Sequence, residues 1–150
     1  MKASPLVRPH VLYLVPRTDL QSMNAGKMAA QACHGQRYAD SILGCLQGTA
    51  LARSHGWSDS NHAAHQDWCR ETPQGFGTTI VLAGGTCENL HAVVSEARIL
   101  GLAAGVVHDP TYPVQDGSVF HQIPLDTVAW VFVPSPGITS CRIGTLELHP

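Results

Sequence analysis

VLYLVPRTDLQSMNAGKMAAQACH, residues 11–34, is the stretch whose reading decides the fold. Val11 to Val15 form an apolar run of strand length, and Pro16 limits how far a central strand can continue. A polar turn follows, in which Ser22 and Asn24 both suit the cap of a helix opened by Gly26 and Lys27. On that helix Lys27, Gln31, His34 and Tyr38 share one stripe. Met28, Ala32, Gly35, Ala39, Ile42, Leu43 and Leu46 form a second stripe about 90° round, which is expected to bury. The first stripe then follows the border of the burial. A cation, an amide and an imidazole on such a border are where a site belongs.

Outward from this unit, residues 1–9 read as a loose leader, with the first strand at about 10–16 and its helix at about 24–47. Gly48 to Asn61 is polar and reads as a loop, and a shorter helix is expected over about 62–71 before Pro73 and Gly75. GTTIVLA, residues 77–83, is β-branched and reads as a strand. After Gly84 and Gly85, Thr86 caps a helix whose apolar stripe is Leu90, Val93, Val94 and Ala97, ended by Gly101. Ala103 to Val107 is apolar throughout, as a strand covered on both faces should be. Residues 77–107 therefore read as a strand–helix–strand unit with a right-handed crossover. Thr127 to Val133 closes an α/β sheet before a tail rich in Pro and Gly.

Ligands of open α/β sheets collect beyond the carboxyl ends of the parallel strands. The first strand sends Arg17, Thr18 and Asp19 to that edge, and the helix carrying Lys27 starts there. If the strand over 103–107 runs parallel to the first, His108 and Asp109 arrive at the same edge. Lys27 and Asp109 then converge.

The 150 residues suit one domain, and 44% apolar with 13% charged residues suits a folded globule. No apolar run approaches the roughly 20 residues that span a bilayer, and MKASPLVRPH lacks a signal peptide's apolar core. Five cysteines without a paired framework favour reduced thiols and a cytoplasmic location. The net charge of −2 announces no nucleic-acid partner, yet residues 1–58 carry six Lys/Arg against two acids. Such a basic half suits a phosphate backbone, or is ordinary variation in surface charge.

R-T-D-L at 17–20 and G-K-M-A-A-Q-A-C-H at 26–34, followed by GTTIVL, ARILGL and His108-Asp109, resemble the peptidyl-tRNA hydrolase II family. The resemblance covers roughly residues 10–133. It implies a three-layer α/β/α domain with a mixed, roughly four-stranded sheet. It also implies cleavage of the ester joining a peptide or acyl-amino acid to the 3′ end of tRNA, with no cofactor or metal, and often a homodimer. By position, Lys27 matches the family's functional lysine and Asp109 its functional aspartate. Gln31, His34 and Asp19 match further motif positions. The chain departs at Asp109-Pro110-Thr111-Tyr112-Pro113, where Pro113 stands at the spacing of the family's functional threonine and Thr111 is the nearby substitute.

Ester hydrolysis needs an oriented water, a group to take its proton, and positive charge where the oxyanion forms. Lys27 near a helix N-terminus suits the last role, and Asp109 suits the first two as a water-orienting base, with Thr111 or His34 completing the network. Arg17 and Arg37 are candidate contacts to the tRNA backbone, and Asp19 and Gln31 candidate substrate-binding groups. The bland readings are a solvated Lys27, a His34 bonded to backbone and an Asp109 that caps its own turn. A Cys33–His34 nucleophile is disfavoured, since adjacent helical residues point about 100° apart. His62, His65 and Cys69 have helical metal-ligand spacing, with His55 near, but also read as ordinary helix residues. Trp57, Trp68, Phe76 and Tyr112 suit stacking on a terminal base or filling a core. A non-catalytic module that binds tRNA or a protein is the alternative, favoured by the altered threonine segment.

Overall fold

The computed structural model describes residues 9–135 and 141–150. The expected leader and the first part of the tail fall largely outside these residues. The elements are β1 (Val11–Pro16), α1 (Ala25–Leu43), α2 (Ala50–Ser54), α3 (Asp59–Arg70), β2 (Thr78–Val81), α4 (Cys87–Ile99), β3 (Ala103–Asp116), β4 (Val119–Val133) and α5 (Cys141–Thr145). Among the described residues no helix is long and apolar enough to cross a membrane.

Four strands form one mixed sheet in the order β2-β1-β4-β3. β1 runs parallel to β2 and antiparallel to β4, and β4 runs antiparallel to β3, so β1, β2 and β3 share a direction. The strands flanking α4 are thus parallel, but they lie at opposite edges of the sheet. β4 sits inside the sheet, and residues 127–133 are buried on both faces. One face packs Leu12, Leu14, Val128, Trp130 and Phe132 against Ala39, Ile42 and Leu43 of α1 and Trp68 of α3. The other packs Val15, Ala129 and Val131 against Leu90, Val93, Val94 and Ala97 of α4 and Ile143 of α5. This is the expected three-layer arrangement, with strand alternation sending successive side chains to opposite layers.

The elements differ from the sequence expectation where local capping decides. α1 stops at Leu43 instead of about 47: Gly44 caps it, Trp57 Nε1 donates to the Cys45 carbonyl at 2.9 Å, and Leu46 is 87% exposed. The supposed loop over 48–61 contains α2 and the start of α3, because the hydroxyls of Thr49 and Ser58 accept first-turn amides. The tail is also used. Ala83 N–H donates to the Glu147 carbonyl at 2.9 Å and His149 N–H to the Val81 carbonyl at 3.0 Å, so the tail lies along the β2 segment.

The largest difference lies in β3 and β4, which continue as a hairpin turning at Gly117 and Ser118, with Gly117 at φ 58°. Pro110, Pro113 and Pro124 disguise these segments as loops, but the hairpin extends past β1 and each proline sits in a two-stranded arm or at an irregularity.

Two glycines set close approaches. A Cβ on Gly35 would lie 3.1 Å from Leu14 Cδ2, so glycine lets α1 settle on the sheet. A Cβ on Gly105 would lie 2.7 Å from Nε1 of the buried Trp130 and 3.1 Å from His55 Cδ2. Gly105→Ala should therefore lower stability by about 1–3 kcal/mol, read as a lower denaturation midpoint at unchanged slope. An unchanged midpoint would mean that the indole yields without cost.

Candidate active site

The sheet edge gathers its residues through register. Pro16 and Val107 both pair with Val128, so Arg17 to Asp19 leave β1 at the level where His108 and Asp109 lie within β3. The helix α1 begins there too, with the Asn24 side chain accepting the Lys27 amide at 3.0 Å. Gly84 N–H donates to the Pro16 carbonyl at 2.9 Å, which brings the start of α4 to this edge as well.

Two irregularities shape the edge. Between Val107↔Val128 and His108↔Asp126, β4 advances two residues for one of β3, so Thr127 is the extra residue of a bulge. Thr127 consequently faces α1 together with Val128, and Asp126 faces α4. Between Asp109↔Leu125 and Tyr112↔Ile123 the extra residue lies on β3, in the Pro110–Thr111 segment. That kink folds Thr111 back over Asp109.

On the α1 face the result is a continuous hydrogen-bonded chain. Thr127 Oγ1 donates to Gln31 Oε1 at 2.6 Å, and Gln31 Nε2 donates to Asp109 Oδ2 at 2.7 Å. Asp109 Oδ1 accepts from the Thr111 amide at 2.9 Å and from the Thr111 hydroxyl at 3.1 Å. Thr127, Gln31 and Asp109 are all buried, the last 8% exposed. Burial pushes the Asp109 carboxyl up, but the bonds from Gln31 and Thr111, with His34 nearby, outweigh it and hold the group below its ordinary value. The carboxylate therefore stays ionised at neutral pH. It opens onto a cleft of about 310 Å³ shared with His34, His108, Pro110 and Thr111.

The other expected site residues fall around this chain. Lys27 lies one turn before Gln31, its Nζ 5.4 Å from the centroid of the Tyr112 ring. Tyr112 is fully buried, and its hydroxyl is 3.2 Å from Ser22 Oγ. Arg37 continues the groove beyond His34, beside Tyr38 and Ser41. Arg17 and Asp19 instead engage each other, Nε to Oδ1 at 2.8 Å and Nη2 to Oδ2 at 2.9 Å. This two-point bond raises the guanidinium and lowers the carboxyl from their ordinary values. Arg17 Nη1 also donates to the Asp126 carbonyl at 3.3 Å.

Other sequence candidates have structural employment. His65 is buried, with Nε2 2.8 Å from Asp40 Oδ1 and its ring stacked on Trp68. His62 Nδ1 lies 2.6 Å from the Leu43 carbonyl, and His55 Nε2 2.8 Å from the Tyr38 hydroxyl. Trp57, Trp68 and Tyr112 are buried, which leaves Phe76 the exposed member of that aromatic set. Cys33 lines a separate depression with Gln36, Arg37 and Asp40, away from Asp109. Thr127 was missed in the sequence, where it reads as an ordinary β-branched strand residue. So was Gln31's burial, since its stripe reads as a border.

The family described as Peptidyl-tRNA hydrolase PTH2 matches residues 10–121. The chain belongs to that family. Lys27, Gln31, His34, Asp109 and Thr111 all lie within the matched residues, whereas Asp126 and Thr127 lie beyond them. A comparison with curated proteins gives no match to the chain.

Two outcomes test the chain of bonds. Thr127→Val leaves the buried Gln31 Oε1 without its donor and should cost about 1–3 kcal/mol of unfolding free energy, measured in urea. Asp109 contributes stability that is complete above its unfolded-state value near 3.9 and is lost as pH falls through its lower folded value. Gln31→Leu removes the largest lowering influence, so the Asp109 titration followed by carboxyl carbon NMR should move upward. A titration that stays in place would remove Gln31 as the group that holds it.

Proposed function

We propose that the chain hydrolyses the ester linking a peptide or acyl-amino acid to the 3′ end of tRNA. One observation carries the reading: the Asp109 carboxylate lines a cleft and is fixed there by three donors, one from the motif residue Gln31 and two from Thr111. Asp109, immobilised by Gln31 and Thr111, orients the attacking water. Its lowered proton affinity makes it a better orienter than acceptor, and His34, across the same cleft, is the second group able to take a proton. Lys27 adds its charge to the positive end of α1 and stabilises the oxyanion that develops on the ester carbonyl. Thr111, the nearby substitute for the family's threonine, bonds Asp109 directly through its hydroxyl, while Pro113 pairs with Gln122 in the hairpin arm.

Lys27 and Arg37 offer charge to the tRNA backbone, and Arg17 contributes less because Asp19 neutralises it. The second reading is a tRNA- or protein-binding module without catalysis, and the shifted threonine is what favours it. Purified protein incubated with acylated tRNA, with intact ester followed over time, separates the two: cleavage no faster than buffer supports the binder.

For a hydrolase, Asp109→Asn should abolish most turnover while tRNA binding persists. Lys27→Ala should cost about 100- to 1,000-fold in turnover, more than it costs in binding. Thr111→Val should give a smaller loss. If Lys27→Ala and Asp109→Asn both cleave like wild type, the site is elsewhere. Affinity for tRNA should also fall linearly on a log–log plot as salt rises, and a flat plot would remove the nucleic-acid partner.

A further inference from the structure

The opposite face of the same sheet edge carries a second polar cluster, of which only His108 also lines the cleft beside Asp109. Cys87 and His91 are four residues apart in the first turns of α4 and so project from one side of the helix. Asp126 faces them because the bulge at Thr127 turns it to the α4 layer. His91 Nε2 lies 2.7 Å from Asp126 Oδ2, and Cys87 Sγ lies 3.8 Å from the same oxygen. The sulfur, the imidazole nitrogen and a carboxylate oxygen all lie within 4.8 Å of one another. On the other carboxylate oxygen, Oδ1, His108 Nδ1 sits at 2.8 Å.

From this geometry we infer that Cys87, His91 and Asp126 form a binding site for a borderline-soft divalent cation, zinc above magnesium or calcium. Sulfur and imidazole donors select zinc-like ions, whereas magnesium and calcium favour all-oxygen sets. Donor atoms around tetrahedral zinc are about 3.4–3.6 Å apart, from bond lengths of about 2.0–2.3 Å. The nitrogen–oxygen pair must therefore open by less than about 1 Å, and the sulfur must close by a few tenths of an ångström on the oxygen and by up to about 1.4 Å on the nitrogen. His91 is 56% exposed in its side chain and has room for that adjustment. On binding, the Cys87 thiol releases its proton to solvent and the sulfur binds the metal. Water completes a set of four. His108 acts one step out, holding the carboxylate oxygen that does not bind the metal, as a partner that orients a ligand.

A Cys–His nucleophile fits the same residues less well. The thiol points at the Asp126 carboxylate instead of at the imidazole, and an anionic sulfur there would face a like charge. A dication between sulfur and carboxylate reverses that conflict. The ion would also tie the start of α4 to β4 beside Thr127, and so brace the other side of the strand that orders Gln31.

The test uses the full chain after chelator treatment, titrated with zinc by calorimetry and with cobalt by absorption. One equivalent should bind, cobalt giving visible bands of a tetrahedral site and a near-ultraviolet thiolate charge-transfer band. Cys87→Ser should lose the charge-transfer band, and His91→Asn and Asp126→Asn should each weaken binding more than tenfold. His108→Ala, acting one step out, should weaken it by about 10- to 100-fold. Zinc should raise the melting temperature of wild type and not of His91→Asn, with circular dichroism confirming that each variant is folded. Cys69→Ser, which alters the Cys69–His65 pair on α3, should bind like wild type. No saturable zinc binding, or binding indifferent to both Cys87→Ser and His91→Asn, would overturn the assignment, as would loss of binding in Cys69→Ser alone.

Discussion

A single buried amide ties the molecule's first helix to its last two strands. Gln31 is 2% exposed and spends its oxygen on Thr127 and its nitrogen on Asp109. A glutamine removed from water must find both kinds of partner, and here the two partners come from different strands. An ionised carboxylate can only accept, so Asp109 sets the nitrogen as the end of the amide that faces it, and the oxygen is left to accept the Thr127 hydroxyl. Gly35, one turn further on, allows the helix to sit close enough for both bonds to be short.

The bulge in β4 makes the arrangement two-sided. A regular strand would send Thr127 and Val128 to opposite layers, and Gln31 would lose its partner. With the extra residue, Thr127 and Val128 both face α1 while Asp126 faces α4. On that face, burial raises the Asp126 carboxyl, but the bonds from His91 and His108 outweigh it and keep it below its ordinary value. Consecutive residues thus anchor separate anionic centres on the two faces of one strand. Bulges near sites often re-aim side chains in this way.

How much of this was legible in the sequence depended on the range of the interaction concerned. The strand, turn and helix over 11–34 were legible because apolar period, cap and turn chemistry are local. Asp109 was legible from topology, since a residue that ends an apolar strand parallel to the first must emerge at the same edge. Thr127 was not, because nothing in Leu125-Asp126-Thr127-Val128 marks a bulge that only the pairing with Val107 and His108 reveals. The partners of Arg17 and His65 were equally hidden: Asp19 sits two residues away but in a turn, and Asp40 sits across two helices. The strands of the arm over 110–126 were not legible because prolines interrupt them and most of their side chains face no core.

That arm has a consequence in the hierarchy of opening motions. Beyond Asp109 the two strands pair only with each other, and Val119, Phe120 and Ile123 stand exposed along one of them. Two paired strands without a third, and without a helix over them, have little buried area to lose on separating. Amide protons toward Gly117 therefore exchange through local fraying, whereas those of residues 128–132 exchange through rupture of the sheet itself. Tyr112, buried under Ser22 and Lys27, marks where the first regime gives way to the second. The boundary lies three residues past Asp109, so the arm can open without releasing the carboxylate.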